Sequence, residues 1–145
     1  MPELSAVEAL YRDVVLDHYR HPRNREPLRV ADGSAIVDNP VCGDQVRVEL
    51  ATHAGRIREV SARARGCSIA VAAASVMTEL VVGLDRARTD ELAERLERLV
   101  MGRSAAAAGP LDERLQAFER VADLPARRRC ALLAWEALHD AWPSD

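Results

Sequence analysis

Three thiols and one carboxylate are the side chains of this sequence whose types and placement could do chemistry. Cys42 and Asp44 share the loop Asn39-Pro40-Val41-Cys42-Gly43-Asp44, and the other two cysteines are Cys67 and Cys130. Pro40 stiffens the backbone on one side of Cys42 and Gly43 leaves it permissive on the other, so a thiol and a carboxylate can converge on a common point. Together the four side chains offer as many S and O donors as tetrahedral zinc takes. Three thiolates and a carboxylate around a divalent ion leave net negative charge, and the guanidinium groups of Arg129 and Arg65 are the candidates to offset it. An odd number of cysteines in a reducing compartment points to metal or thiol chemistry before a disulfide framework. Taken singly, each is equally well read as packing, since free Cys is among the most buried residue types.

The elements that must position these groups follow from the pattern around them. Ala35 to Val37 reads as a strand leading into the Cys42 loop, and Val46, Val48 and Leu50 alternate with Gln45, Arg47 and Glu49 as in a half-buried strand. After a turn at His53-Ala54-Gly55, Ile57 to Ala64 alternates again, with Val60, Ala62 and Ala64 facing one way and Ser61, Arg63 and Arg65 the other. Cys67 then falls where a strand becomes a helix, a place where unsatisfied N–H groups and the helix dipole favour a thiolate. The helix from Ile69 to Val82 is apolar on nearly every side and so is expected to be buried. Cys130 lies early in the last helix, behind Arg127-Arg128-Arg129, whose positive charge is expected to lower its pKa too. Cys42 alone sits on a loop and can move.

The rest of the chain supplies cover. Ser5-Ala6-Val7-Glu8 matches a capping box, and Val7, Leu10, Tyr11, Val14 and His18 form one stripe of a first helix ending near His21-Pro22. Thr89 to Met101 reads as an amphipathic helix, Gly102 to Pro110 as a mobile connection, and Leu111, Leu115, Phe118 and Val121 as a short helix. Leu124-Pro125 opens the last helix, where Cys130, Ala134, Ala137 and Ala141 make a stripe of small residues. His18 and His21 read as interfacial or surface residues, His53 and His139 as bland ones, Met77 and Met101 as core, and the run Arg127 to Arg129 as a solvated face.

Composition removes several function classes. At 145 residues the chain fits one domain, and its formal charge of −3 provides no field for nucleic acid or an anionic membrane. All 20 basic residues are Arg, which excludes Schiff-base chemistry and a P-loop lysine. The start lacks the basic and apolar regions of a secretion signal, and the longest uncharged stretch, Cys67 to Thr78, is too short to cross a bilayer. The expectation is a cytoplasmic protein with no membrane span.

Read together, the blocks match a known family. Leu10-Tyr11-Arg12, Asp17-His18-Tyr19, His21-Pro22-Arg23-Asn24, the Cys42 loop, Arg65-Gly66-Cys67-Ser68-Ile69, Ala74-Ser75-Val76-Met77-Thr78-Glu79 and Arg129-Cys130-Ala131-Leu132-Leu133-Ala134-Trp135 resemble the iron–sulfur cluster assembly proteins of the IscU/SufU type. In the IscU branch a histidine precedes the last cysteine. Here that position is Arg129, and the segment around 102–121 is similar to the insertion of the SufU branch. The resemblance implies a single α+β domain over residues 1–145, with a small antiparallel β-sheet packed against several helices. It implies Zn2+ bound by Cys42, Asp44, Cys67 and Cys130, with Gly43, Arg65 and Arg129 in support. It further implies a SufS-type cysteine desulfurase as partner and downstream iron–sulfur assembly proteins as recipients.

The activity expected on this basis is zinc-dependent acceptance of persulfide sulfur by Cys42, which would make the chain a sulfurtransferase. The alternative is a scaffold on which iron and sulfide assemble into a [2Fe-2S] cluster on the same four residues. A third reading gives the metal a structural role alone. A Cys-His hydrolase is disfavoured, because only His18 or His21 could approach Cys42 and neither sits in a nucleophile motif.

Overall fold

Two alternating apolar runs generate a three-stranded antiparallel sheet, β1 (Gly33–Asn39), β2 (Asp44–His53) and β3 (Arg56–Arg65), in the order β1-β2-β3. The chain is given by a computed structural model that describes residues 6–103 and 109–143. Val46, Val48 and Leu50 are fully buried on one face of β2, as period two requires. Asn39 pairs with Asp44, so the Cys42 loop is the turn joining β1 to β2. The turn from β2 to β3 places Ala54 and Gly55 at φ of 53° and 77°, the two positive angles of a tight hairpin that matches strand twist. A bulge between Ala51 and Thr52 lets Ala51 be buried beside Leu50. Ser61 departs from the expected outward orientation and is buried. The loop before β1 meets the strand at this point, with Asn24 O accepting from Ala62 N at 2.9 Å.

The helices cover the sheet's apolar face. They are α1 (Ala6–Leu10), α2 (Asp17–Arg20), α3 (Ser68–Val81), α4 (Arg86–Val100), α5 (Glu113–Gln116) and α6 (Arg128–Ala141). α3 packs on β3 and α6, while α6 packs on β1 and β2. The small-residue stripe Cys130, Ala134, Ala137 and Ala141 is buried and lets α6 lie close to the sheet. At its end a Cβ on Gly33 would collide with Ala141 O, so the start of β1 needs glycine. α4 begins earlier than the apolar pattern indicates because Asp85 caps it, accepting from Arg88 N at 2.9 Å. Met101, expected in the core, stands just past its end and is 44% exposed.

The first helix runs continuously from residue 6 to 20, but its middle turn, Tyr11–Leu16, is π-wound. The wider turn advances the buried position, and Val15, not Val14, is completely enclosed. Ser5 of the expected capping box lies outside the described residues, as does 104–108 of the expected connection. Beyond it, α5 and a 3-10 segment, Ala117–Asp123, bury Leu115, Phe118 and Val121. A 3-10 turn, Pro125–Arg127, then leads into α6. Among the described residues no helix is long and apolar enough to cross a membrane.

Candidate metal centre

Three elements meet at one end of the sheet: the β1–β2 turn, the start of α3 and the start of α6. The turn is closed by Asn39, itself buried, whose side-chain oxygen accepts from Val41 N at 3.2 Å and whose carbonyl accepts from Gly43 N at 2.8 Å. Gly43 takes φ of 75°, the left-handed region, which turns the chain back toward Asp44. Val41 is thereby left 93% exposed at the tip, with Cys42, also exposed, beside it. Cys42 Sγ lies 3.7 Å from Cys130 Sγ, and Cys130 is buried in the first turn of α6.

Asp44 begins β2 and is buried. Its Oδ1 accepts from Cys67 N at 3.0 Å and its Oδ2 from Cys67 Sγ at 3.2 Å. Cys67 is the N-cap residue of α3, so the carboxylate satisfies a donor at the helix start. This approach depends on Gly66, which has φ of 137°; a Cβ there would overlap the Asp44 carboxylate and stand 2.9 Å from Asp44 Cα. Ligand atoms of Cys42, Asp44 and Cys130 all lie within 4.8 Å of one another. Cys67 joins through Asp44 and also borders Cys130.

The electrostatics of the cluster depart from expectation at two places. Burial pushes the Cys130 thiol well up, and its neighbours Asp44, Cys67 and Cys42 push in the same direction, so the arginine run does not dominate. Burial also raises the Asp44 carboxyl, but hydrogen bonds from the Cys130 and Cys67 thiols and the Cys67 N–H outweigh it and hold the group below the ordinary carboxylate value. The second departure concerns the compensating cations. Arg129 Nη2 turns to Glu136 at 3.5 Å, and Arg65 Nη2 to Gln45 Oε1 at 3.2 Å. The guanidinium facing the cluster is that of Arg127, held above its ordinary value by the charge of Cys67 and by a hydrogen bond with Cys130. From the sequence, the run Arg127 to Arg129 reads as a solvated face whose charge acts on Cys130; Arg127 is exposed, and it is the member of the run that interacts with Cys67 and Cys130.

The donors suit a tetrahedral metal ion. Two sulfurs bound at about 2.3 Å to one tetrahedral centre stand about 3.8 Å apart, and a sulfur and a carboxylate oxygen about 3.6 Å apart. The observed edges of 3.7 Å for Cys42–Cys130 and 3.2 Å for Cys67–Asp44 are near these values. Cys42, Asp44 and Cys130 could hold a metal ion, with Cys67 adjoining.

His18 and His21 take no part in this cluster. His18 is only 4% exposed; its Nδ1 lies 2.7 Å from Ser75 Oγ and its Nε2 3.3 Å from Glu79 Oε1. Ser75 Oγ also accepts from Arg23 N at 2.9 Å, and Asn24 Nδ2 donates to Thr78 Oγ1 at 3.0 Å. These bonds tie the end of the first helix to α3, a structural role for residues that resembled family motifs. His21 is exposed, and His139 pairs on the surface with Asp90 at 3.0 Å.

The fold agrees with comparison to known proteins. Residues 10–107 match the NifU-like N terminal domain family. The chain is 33% identical over 134 residues to the zinc-dependent sulfurtransferase SufU of Bacillus subtilis, covering 91% of this chain and 88% of that protein. It is likewise 33% identical over 140 residues to the iron–sulfur cluster assembly scaffold protein IscU of Streptococcus pyogenes, covering 95% and 86%. The crystal structure of a NifU-like protein N-terminal domain from Brucella abortus superimposes with a TM-score of 0.81, covering 94% of each chain at 23% identity, a likeness of fold alone. The chain therefore belongs to the IscU/SufU family of iron–sulfur cluster assembly proteins, whose NifU-like domain it carries.

Proposed function

We propose that the protein is a zinc-dependent sulfur carrier in which Cys42 accepts the terminal sulfur of a cysteine desulfurase persulfide. The observation that carries this reading is the graded exposure of the three thiols: Cys42 is exposed on a turn, Cys67 is half-buried and Cys130 is buried. A sulfur donor held in a partner's site can reach the first of these and not the last. Cys42, Asp44, Cys67 and Cys130 would hold Zn2+, which when bound keeps thiols deprotonated and fixes their positions. Cys67 and Asp44 are anchored by the start of α3, and Cys130 by α6. The movable ligand is then Cys42, whose Sγ attacks the outer sulfur of the incoming persulfide while the donor's thiolate leaves. A donor group from the desulfurase would replace it as ligand. Arg127 beside Cys67 and Cys130 would offset the negative charge of the set.

The residue before the last cysteine, Arg129, and an insertion around 102–121 both favour the SufU branch over the IscU branch. Downstream iron–sulfur assembly proteins would receive the sulfur. Replacing Cys42 with Ala is expected to abolish stimulation of desulfurase turnover by zinc-loaded protein. Undiminished stimulation refutes the assignment. The scaffold reading gains from the match to the Streptococcus IscU, and would take precedence if anaerobic reconstitution gave a stable, transferable [2Fe-2S] chromophore without sulfur acceptance.

A further inference from the structure

We propose that Cys130 is an internal resolving thiol: in the metal-free protein it attacks a Cys42 persulfide, expels hydrosulfide and leaves a Cys42–Cys130 disulfide. The inference rests on the sulfur-acceptor reading of Cys42. It adds an activity, release of sulfide without an external reductant, and a condition under which it occurs.

Geometry selects the pair. Cys42 Sγ and Cys130 Sγ are 3.7 Å apart, near van der Waals contact, and a disulfide requires about 2.05 Å. Cys67 Sγ has its close contact with Asp44 Oδ2 at 3.2 Å, and Cys130 is the thiol that stands against Cys42. The remaining approach must come from one partner, because Cys130 is buried within α6 and packed on the sheet. Cys42 can supply it: its turn is exposed, and around Gly43 an added Cβ would meet nothing within 4 Å.

The step balances within the chain. Cys130 Sγ bonds to Cys42 Sγ as the bond from Cys42 Sγ to the outer sulfur breaks, and that electron pair leaves with the outer sulfur as hydrosulfide. The proton lost by Cys130 ends on the departing hydrosulfide, giving hydrogen sulfide. Two cysteine sulfurs are oxidised to a disulfide while the sulfane sulfur is reduced to sulfide, so no further reagent enters. Hydrosulfide is a low-pKa leaving group, which favours attack at the inner sulfur. Attack at the outer sulfur would instead move the persulfide to Cys130 and release nothing. A Cys130 committed as a metal ligand is not free to attack, so metal loading decides whether sulfur leaves as persulfide or as sulfide.

The test loads a cysteine desulfurase with persulfide, desalts it free of cysteine and mixes it anaerobically with the full chain, metal-free or zinc-loaded. A parallel arm uses glutathione persulfide as the donor. Released sulfide is measured by methylene blue, and the products are identified by intact and peptide mass. Metal-free wild type is expected to release one sulfide per chain, lose two hydrogens and yield a Cys42–Cys130 disulfide peptide. The zinc-loaded form is expected to gain one sulfur and release none. Cys130→Ser is expected to hold the Cys42 persulfide in both states. A persistent persulfide in metal-free wild type, a disulfide mapped to Cys67, or metal-free wild type that gains neither sulfide release nor disulfide from either donor while the zinc-loaded form takes up sulfur, overturns the proposal; the peptide map decides this even if the variant folds poorly. Absence of sulfur on Cys42 in every sample, Cys130→Ser included, overturns the acceptor reading and the inference with it, and is a different signature.

Discussion

Replacing Gly66 with Ala tests whether the Asp44 carboxylate is held in place by a missing side chain. Gly66 has φ of 137°, and a Cβ there would stand 2.5 Å from Asp44 Cγ and 2.9 Å from its Cα. The backbone angle alone costs about 1–3 kcal/mol for a residue with a side chain. Displacing the carboxylate also removes its bond from Cys67 N, a charge-assisted contact worth about 1.5–3 kcal/mol. The sum is about 2.5–6 kcal/mol, a large part of the roughly 5–15 kcal/mol that holds a domain folded. Gly55→Ala is the control: φ is 77°, but nothing lies within 4 Å of the new methyl, so about 1–2 kcal/mol of backbone strain is all it incurs. Urea unfolding of the metal-free variants measures both. A competition titration with a chromophoric chelator then reads zinc affinity, expected to weaken about 10–100-fold in Gly66→Ala and not in Gly55→Ala. Equal destabilisation by the two changes, or unaltered zinc affinity in Gly66→Ala, would refute the reasoning, because the difference between them is the Asp44 contact.

Two other perturbations separate roles that the sequence leaves mixed. Arg127→Ala is expected to weaken zinc binding, with a deficit that shrinks as salt rises, since the screening length falls from about 10 Å at 0.1 M to about 3 Å at 1 M. Arg129→Ala, which loses only a surface pair with Glu136, is expected to leave affinity unchanged at either ionic strength; equal effects would remove Arg127 from the site. His18 is held below its ordinary value of 6.5 by burial first and then by the charge of Arg23, with Glu79 opposing. Its unfolded form therefore binds a proton more readily, so its contribution to stability is complete above about pH 6.5 and is lost as pH falls from there toward the folded value. Wild type should lose stability more steeply than His18→Gln between pH 7 and 5 in urea titrations. Parallel slopes would contradict the linkage.

The parts of this fold that follow from periodicity were legible because one face of each element is buried. Val46, Val48 and Leu50 specify β2, the continuous apolar run specifies α3, and Cys130, Ala134, Ala137 and Ala141 specify the inner face of α6. What escaped were features set by hydrogen bonding or by a local change of winding. Asp85 extends α4 backward through a capping bond that apolar spacing does not record. The π-wound turn at Tyr11–Leu16 shifts burial from Val14 to Val15, and no residue type in that stretch signals it. Ser61 is buried because a distant loop reaches its strand, a tertiary effect invisible to a period-two count.

The site shows the same division, with one error that elementary geometry could have avoided. The three cysteines and Asp44 stood out by residue type, and the structure brings them together, but the close approach that requires Gly66 was not read from the sequence, and the arginines named to offset their charge were Arg129 and Arg65. Residues next to each other on a helix do not share a face, whereas residues three apart do. Arg127 precedes Cys130 by three, in a 3-10 turn that continues directly into α6, so both project to the same side. Arg129, one residue before Cys130, is rotated away and meets Glu136 two turns further along the helix. The cation of this centre is thus fixed by helical phase.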